Sequence, residues 1–591
     1  MSIMDLEKVV SRARKAAQGS HTPCGPITWV WGKEDLKNLV RAIHASQKVV
    51  MDLETTGLDE YAEAGGDTNG GYPARIVLAS LTLPDAERAV AGAYNWRTLD
   101  GEQPMTYLVP LSHPASPLLG AWRKVMAIIG REINRSGKPF VNANIKFDAR
   151  WVFAQAGVDL SDRIEWDTTV SSQLVDTEAR TRLKIRAARD FGIEEWDDFD
   201  LSTPGAAESV DLIQLGEYAA RDTYYTWKIE EEHREQMFLT GDEEPFDSDD
   251  IQMARLGKVA TYVSMPTVKT LTKVEQRGFL LDVDWVHAKI EEMDALRLKA
   301  CEDILDLYGT APAPAPAKDG VTTAATSKWF QGFVAQAIEA GDLRVTARTD
   351  SGNAQWNKAV LIAQQRQGSP AADALLRHRD ATKTLEFLRS WLELRDPNNV
   401  IHATYNVGFV KTGRLSSSNP NVQQISARLK PAFIPRPGHV LLDLDYSQVE
   451  LRVAAFISRS QPMIEAFQRG DDLHRLLAAK IAGKAPEDVT SLERKRAKAG
   501  NFGLLYGMSP GGFQSYAATA YDVSLTLAEA QAVHSAFFEM WDGMRQWHER
   551  SKRRAYERGY VTSPIGRTQW LSDLYSKSSF KASHAERNAL N

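Results

Sequence analysis

The sequence predicts an α/β region followed by a mainly α-helical one. Three observations predict it. Between residues 46 and 230, apolar strand-like runs alternate with helical stretches. From 252 to about 395 the apolar residues recur at helical spacing. Strand signals then return in only two places, GHVLLDLDYS (438–447) and GYVTSPIGRTQWL (559–571).

In chain order, residues 1–45 read as helices ahead of the first strand. KVVMDLETTG, ARIVLASLTL and KPFVNANIKFDARW carry strand signals, and SVDLIQLGEYAARDTYYTWKIEEEHREQM reads as a long helix. TGDEEPFDSDD (240–250) is acidic and poor in large apolar residues, so 240–255 reads as a linker. APAPAPAKDG (311–320) is low-complexity and reads as an extended, mobile loop. GYVTSPIGRTQWL reads as two short strands around a Ser-Pro-Ile-Gly turn. At the end of the sequence, KASHAERNALN starts a helix with Ser583 and Glu586 spaced as a capping box. The organisation predicted is 1–45, 46–239, the linker, 256–400 and 401–591.

Composition narrows the class. A chain of 591 residues allows about three or four domains. The apolar share of 43% and charged share of 25% suit a soluble globular protein, and no apolar run is long enough to span a bilayer. The first twenty residues lack an apolar signal core and carry Asp5 and Glu7, which argues against a transit peptide. Two cysteines, Cys24 and Cys301, exclude a disulfide framework and a zinc finger and suit a reducing cytoplasm. The net charge of −6 does not suggest nucleic acid, yet SKRRAYERGY and ERKRAKAGN are locally basic. Basic runs of this kind also occur as solvated helix faces.

Chemistry concentrates in two places. VVMDLETTGL puts Asp52 and Glu54 two apart in a strand, so both carboxylates leave one face. That pair alone fits either a divalent-metal site or a strand meeting solvent. Asp148, expected on a helix with Asn144 one turn earlier, and the i,i+4 pair Tyr218 and Asp222 add acids from two further elements. Four acids and a tyrosine on three elements suit two-metal phosphodiester hydrolysis, with Tyr218 orienting the attacking water.

The second constellation is HVLLDLDYSQVELRVAAFIS, an apolar strand delivering Asp443 and Asp445 to a turn, with Glu450 and Arg452 in the helix behind it. Asp445 or Ser447 as a helix N-cap is the plain alternative. Downstream, Arg494, Lys498, Phe502 and Tyr506 recur every four residues on one helix. Two cations followed by two rings fit a nucleoside triphosphate, or a basic helix with an aromatic core face.

The first set resembles the three motifs of the DEDD exonuclease superfamily in its tyrosine branch. That resemblance implies an RNase H-like fold cleaving single-stranded DNA from the 3′ end, with Asp52, Glu54, Asp148 and Asp222 as metal ligands. WDTTVSSQLVD (166–176) sits where that family has an Asp-containing helix. The second set resembles motifs A and B of family A DNA polymerases, phage-type enzymes included. The resemblance implies a helical thumb over 256–400 and a palm with fingers over 401–591. It implies that Asp445 is the palm metal ligand and Glu450 the steric gate against a 2′-hydroxyl. His474, Arg494 and Lys498 would reach the triphosphate, with Phe502 and Tyr506 at sugar and base. Arg414, Asn421, Gln423, Arg587 and Asn591 would contact primer–template DNA. The cofactor implied is Mg²⁺, with Mn²⁺ able to substitute, in two-metal sites; the other partners are dNTPs and primer–template.

Motif C, the hairpin with the second palm carboxylate, is absent after Tyr506; Asp522, Asp542 and Asp573 lack its context. The expectation is the N-terminal part of a split polymerase, completed by a second polypeptide, from a bacteriophage acting in a bacterial cytoplasm. Three alternatives stay open: a truncated piece of one chain, a stand-alone 3′-to-5′ exonuclease with a DNA-gripping polymerase region, and a non-catalytic DNA-binding protein in which both acid sets are inert.

Overall fold

The computed structural model describes residues 24, 26–63, 73–84, 86, 104–178, 180–196, 199–201, 203–239, 248–310, 328–348 and 352–590. The expected loop at 311–320, the first half of the expected linker and Asn591 lie outside the described residues. Chain contacts divide the protein into two units. Unit 1 comprises Met1–Leu281, Glu393–Phe433 and Thr562–Trp570, and unit 2 the remainder. This division cuts across the boundaries expected at 256 and 400.

Unit 1 is built on a six-stranded mixed sheet. Its elements are β1 (Ile27–Trp29), α1 (Lys33–Ala45), β2 (Val49–Thr55), β3 (Ile76–Leu83), β4 (Met105–Pro110), α2 (Trp122–Ser136), β5 (Phe140–Asn142), α3 (Ile145–Ala156), β6 (Ile164–Asp167), α4 (Thr168–Val175), α5 (Leu183–Phe191) and α6 (Leu212–Gln236). The strand order is β1-β4-β3-β2-β5-β6. β2 runs antiparallel to β3 and parallel to β5. β1 is a correction: residues 1–45 are not all helical, because Ile27, Thr28 and Trp29 pair in parallel with Thr106, Tyr107 and Leu108 of β4. A three-residue run is too short to show a period, and only the distant partner strand makes it a strand.

The central strand β3 buries all eight residues. Ala79 and Leu81 join a core with Val50, Met126 and Trp151. Leu78 instead packs with Leu108, Leu215 and Ala219, which brings α6 onto the sheet. The approach is close, since a Cβ on Gly216 would stand 2.4 Å from the Trp29 ring. Thr223 of α6 completes the joint: its hydroxyl lies 2.8 Å from Ser80 Oγ and 2.9 Å from Thr82 Oγ1, all buried.

Unit 1 continues through α7 (Ser248–Val259) and α8 (Met265–Arg277) to β7 (Phe279–Leu281). α7 begins within the stretch 240–255 expected as a linker. α8 is bound to α3 through a buried ion pair, Lys146 to Glu275, and Lys146 also donates to the Tyr405 carbonyl. This internal pairing holds α8 in unit 1 rather than in a separate region starting at 256.

Unit 2 is helical. α9 (Val283–Tyr308), α10 (Lys328–Glu339), α11 (Lys358–Gln365) and most of α12 (Pro370–Leu394) gather around Tyr308, Phe330, Phe333, Leu361 and Leu375. The chain returns to unit 1 through β8 (Val400–Ile401), β9 (Thr404–Asn406) and β10 (Ser416–Ser418), and β9 and β10 pair as an antiparallel ribbon. Seven helices follow in unit 2: α13 (Val449–Ser458), α14 (Gln461–Arg469), α15 (Leu473–Ala482), α16 (Ser491–Leu505), α17 (Pro510–Ala520), α18 (Leu527–Met540) and α19 (Met544–Arg558). They share a core of Leu451, Met463, Leu477, Leu504, Phe513, Phe537 and Trp541. Thr490 and Glu493 form a reciprocal capping box that starts α16. A Cβ on Gly500 would stand 2.8 Å from Val533, so α16 and α18 touch nearly backbone to side chain.

Two further corrections concern the end of the sequence. The strand expected at 438–447 is not formed: residues 435–446 carry no strand or helix, and Leu444 and Tyr446 are 87% and 82% exposed. A strand exists only by pairing, and among the described residues none runs beside this segment. The expected hairpin does form, as β11 (Tyr560–Thr562) against β12 (Thr568–Trp570). The last helix, α20 (Ser579–Asn588), starts before Ser583 and is capped by Ser578, whose hydroxyl accepts from the Lys581 N–H. Glu586 accepts from Lys552 and Tyr556 of α19, both at 3.0 Å, instead of closing a box.

Candidate active site

In unit 1 the acids meet at one end of β2. Asp52 and Glu54 lie on that strand, and a register shift against β3 falls between Glu54 and Thr55. α6 contributes Asp222 and, one turn earlier, Tyr218. Carboxylate oxygens of Asp52, Glu54 and Asp222 lie within 4.8 Å of one another. Among the described residues this is the group of three carboxylates able to share a cation. Asp148, in the first turn of α3, is adjacent but differently held: it accepts from Leu53 N at 3.0 Å and from Asn142 Nδ2 at 2.6 Å. Asn142 also reaches Asp52 at 3.5 Å, so one amide bridges the two acids.

Electrostatics match this crowding. Burial pushes the Glu54 carboxyl well above the ordinary carboxylate range, Asp52 and Asp222 add to the push, and Lys184 opposes it. Burial and the Asp52 charge raise Asp148 likewise, against the hydrogen bonds from Asn142 and Leu53. Buried like charges need a counter-charge, and an all-oxygen donor set suits a hard divalent cation. The residues therefore fit Mg²⁺ or Mn²⁺.

A prediction follows from the raised carboxyl of Glu54. Below the ordinary carboxylate range Glu54 is protonated whether folded or unfolded and costs nothing. The cost grows as pH rises above that range, because the unfolded carboxyl ionises first, and it is complete once the pH reaches the folded-state value. Without divalent ions at neutral pH, Glu54→Gln should therefore raise the melting temperature of unit 1 by about 2–4 °C, the scale of roughly 1 kcal/mol. The gain should vanish near pH 4, and Mg²⁺ should protect the wild type more than the variant. Calorimetry at both pH values, with chelator or Mg²⁺, measures all three.

Several site residues were invisible to sequence reasoning. Asn142, Lys184 and Trp196 carry no spacing signal, yet Trp196 Nε1 donates to Asp222 at 2.7 Å and Lys184 Nζ donates to Tyr218 Oη. Asp167 is a structural partner. It is buried and accepts from the N–H groups of Asn144, Ile145, Thr169 and Val170 at 2.9–3.3 Å. One carboxylate thus caps α4 and fixes the start of α3, the helix that carries Asp148. Asp167→Ala should cost about 2–4 kcal/mol, since a lost cap and orphaned buried N–H groups add; chemical denaturation of the variant tests this.

In unit 2, Arg494, Lys498, Phe502 and Tyr506 form a half-exposed stripe along α16 and its C-cap. Tyr506 Oη donates to Glu450 at 2.5 Å, joining the start of α13 to the end of α16. Arg494 is ion-paired with Asp472 at 2.6 Å. His474 is buried, and burial pushes its pKa down to about 4. The Asn501 amide, oriented by Trp541 and the Leu473 carbonyl, donates to His474 Nδ1, so the neutral ring carries its proton on Nε2. Only that N–H suits a phosphate contact.

Asp445 lies exposed in the unpaired segment, and no three-carboxylate group among the described residues includes it. Asp445 by itself does not complete a two-metal centre. Arg587 is half-exposed on α20. Arg414, Asn421 and Gln423 lie in unit 1, where Asn421 caps a short turn by accepting from Gln423 N at 3.1 Å.

Residues 333–591 match the model of DNA polymerase family A. This part of the chain is similar to that family. Similarity extends beyond the polymerase-family region. DNA polymerase I of Pseudomonas aeruginosa is 28% identical over 579 residues, which is 93% of this chain and 55% of that protein. DNA polymerase I of Aquifex aeolicus is 26% identical, covering 90% of this chain and 81% of its own length. The thermostable DNA polymerase I of Thermus caldophilus is 31% identical over 56% of this chain and 38% of its own. The chain thus spans about half the length of the Pseudomonas relative. The fold is similar to that of the polymerase domain of Pol1 from M. smegmatis, solved with DNA primer-template and dNTP. That similarity has a TM-score of 0.68 and 21% identity, over 95% of this chain and 85% of that one. Among the described residues no helix is long and apolar enough to cross a membrane.

Proposed function

We propose that this protein is a DNA-directed DNA polymerase with a 3′-to-5′ proofreading exonuclease. One observation carries the reading: a chain with a family A polymerase region also gathers Asp52, Glu54 and Asp222 within 4.8 Å, with Tyr218 one helical turn from Asp222. The sheet of unit 1 is then an RNase H-like nuclease core. Asp52, Glu54 and Asp222, with Asp148 beside them, would hold Mg²⁺, which supplies Lewis-acid activation and charge neutralisation at the scissile phosphate. Tyr218 would orient the attacking water. Trp196 fixes the Asp222 carboxylate, and Asn142 bridges Asp148 and Asp52.

In unit 2, Lys498, Arg494 and the His474 Nε2–H would bind the triphosphate of a dNTP, with Phe502 and Tyr506 against sugar and base. Glu450, held by Tyr506, would exclude a 2′-hydroxyl. Arg414, Asn421, Gln423 and Arg587 would contact primer–template DNA, together with Asn591. Asp445 needs a second carboxylate, and a second polypeptide with apolar strands would bring it. The support is an exposed apolar surface of Val440, Leu442, Leu444 and Tyr446, continued on α13 by Val449, Val453 and Phe456. Strand addition to such a segment supplies both backbone partners and burial. The phage origin and cytoplasmic location go with this reading.

The test is a labelled primer–template assay on the natively purified protein with Mg²⁺. Shortening from the 3′ end without dNTPs and extension with them are expected. Failure to shorten refutes the nuclease, and extension by residues 1–591 alone removes the need for a partner. The position of Asp445 outside any three-carboxylate group among the described residues favours a second reading, a stand-alone exonuclease whose polymerase region only grips DNA. It predicts no extension under any complementation.

A further inference from the structure

Lys184 has no role in either motif set. It lies half-buried in the first turn of α5, a helix outside the three elements that carry the acids. Its Nζ donates to Tyr218 Oη and sits 3.9 Å from the centroid of that ring. The same ammonium acts electrostatically on Asp52 and Glu54. One cation thus addresses the tyrosine and two of the three clustered carboxylates.

The geometry has a chemical consequence. An ammonium has hydrogens to donate and no lone pair, so in this bond the phenol oxygen accepts. The phenol's own O–H must then point elsewhere. The Tyr218 ring packs with Ala187, Trp196 and Tyr225. Asp222 of the acid cluster lies one helical turn along α6 from Tyr218. A phenol that accepts a charge-assisted hydrogen bond is also polarised into a better donor.

We propose that Lys184 is a positioning residue of the nuclease site: it holds Tyr218 Oη by donation and directs the phenol O–H at the attacking water. This rests on the nuclease reading given above. A residue that orients a group touching the reacting atoms typically changes activity by about 10–100-fold. Lys184→Met should therefore lower the single-turnover rate of 3′-nucleotide release from single-stranded DNA by about 10–100-fold, with KM for the DNA little changed. Lys184→Arg, which keeps a cationic donor, should recover much of the rate.

The decisive comparison is with Tyr218→Phe. If Lys184 acts through the phenol oxygen, Lys184→Met should add almost nothing once that oxygen is gone. A merely structural lysine would slow Tyr218→Phe as much as wild type, and that result would overturn the proposal. An unchanged rate for Lys184→Met would overturn it too, as would a rise in KM at constant kcat, which marks a simple phosphate contact. If instead the wild-type protein releases no nucleotide with Mg²⁺ present, the nuclease reading itself fails. The two failures are thus told apart by the wild-type control. Circular dichroism melts of each variant confirm that folded protein is compared.

Discussion

Asp222→Ala is expected to lower Mg²⁺-dependent release of 3′ nucleotides from single-stranded DNA by about three orders of magnitude or more. Asp222 is one of three carboxylates converging within 4.8 Å, and its orientation is set by Trp196. Charge stabilisation by a bound cation contributes several kcal/mol to such hydrolysis, and each 1.36 kcal/mol is about tenfold in rate. The substitution removes a ligand and leaves Trp196 Nε1 without its acceptor, so a stability loss of about 1–3 kcal/mol should accompany it. Asp222→Asn separates the two effects. It keeps an acceptor for Trp196 and removes the charge, so it should be nearly as inactive and more stable. Single-turnover kinetics on 5′-labelled DNA measures the rate. A variant within tenfold of wild type would mean that the cluster does not run the chemistry. Primer extension, assigned to unit 2, should survive in both variants.

The second large effect concerns Asp445. Asp445→Asn should reduce primer extension by the natively purified assembly by about three orders of magnitude, while affinity for primer–template changes little. The side chains are nearly the same size, so only the charge available to a cation is lost. Exposure of Asp445 makes a folding defect implausible as the cause, because surface substitutions usually stay within about ±0.5 kcal/mol. The neighbouring Asp443, also exposed, is the control: Asp443→Asn should extend normally. Nuclease activity should be intact in both. Equal extension by wild type and Asp445→Asn would favour the exonuclease-only reading.

Much of the candidate site in unit 1 was legible because its residues obey local periods. Asp52 and Glu54 sit two apart on a strand, and Tyr218 and Asp222 four apart on a helix, as their spacing required. The stripe from Arg494 to Tyr506 was legible for the same reason. Lys184, Asn142 and Trp196 were not, because each is brought in by an element whose own sequence has no reason to mark it. Asp167 was visible only as part of a family-like stretch, and its double capping role depends on α3 and α4 beginning side by side.

The misreadings share one cause. GHVLLDLDYS has every local mark of a strand, and β1 has almost none, yet β1 pairs and the 438–447 segment does not. Strand formation depends on a partner far away in sequence, which no window of local pattern contains. By itself, the sequence determined which residues share a face, where most helices run and which acids are available together. Only the tertiary structure decided that Asp52, Glu54 and Asp222 form one cluster while Asp148 is held aside by Asn142. It alone placed Lys184 on Tyr218 and His474 behind Asn501. Periodicity is written in the chain within a few residues, whereas convergence of separate elements is set by packing and hydrogen bonding across the fold.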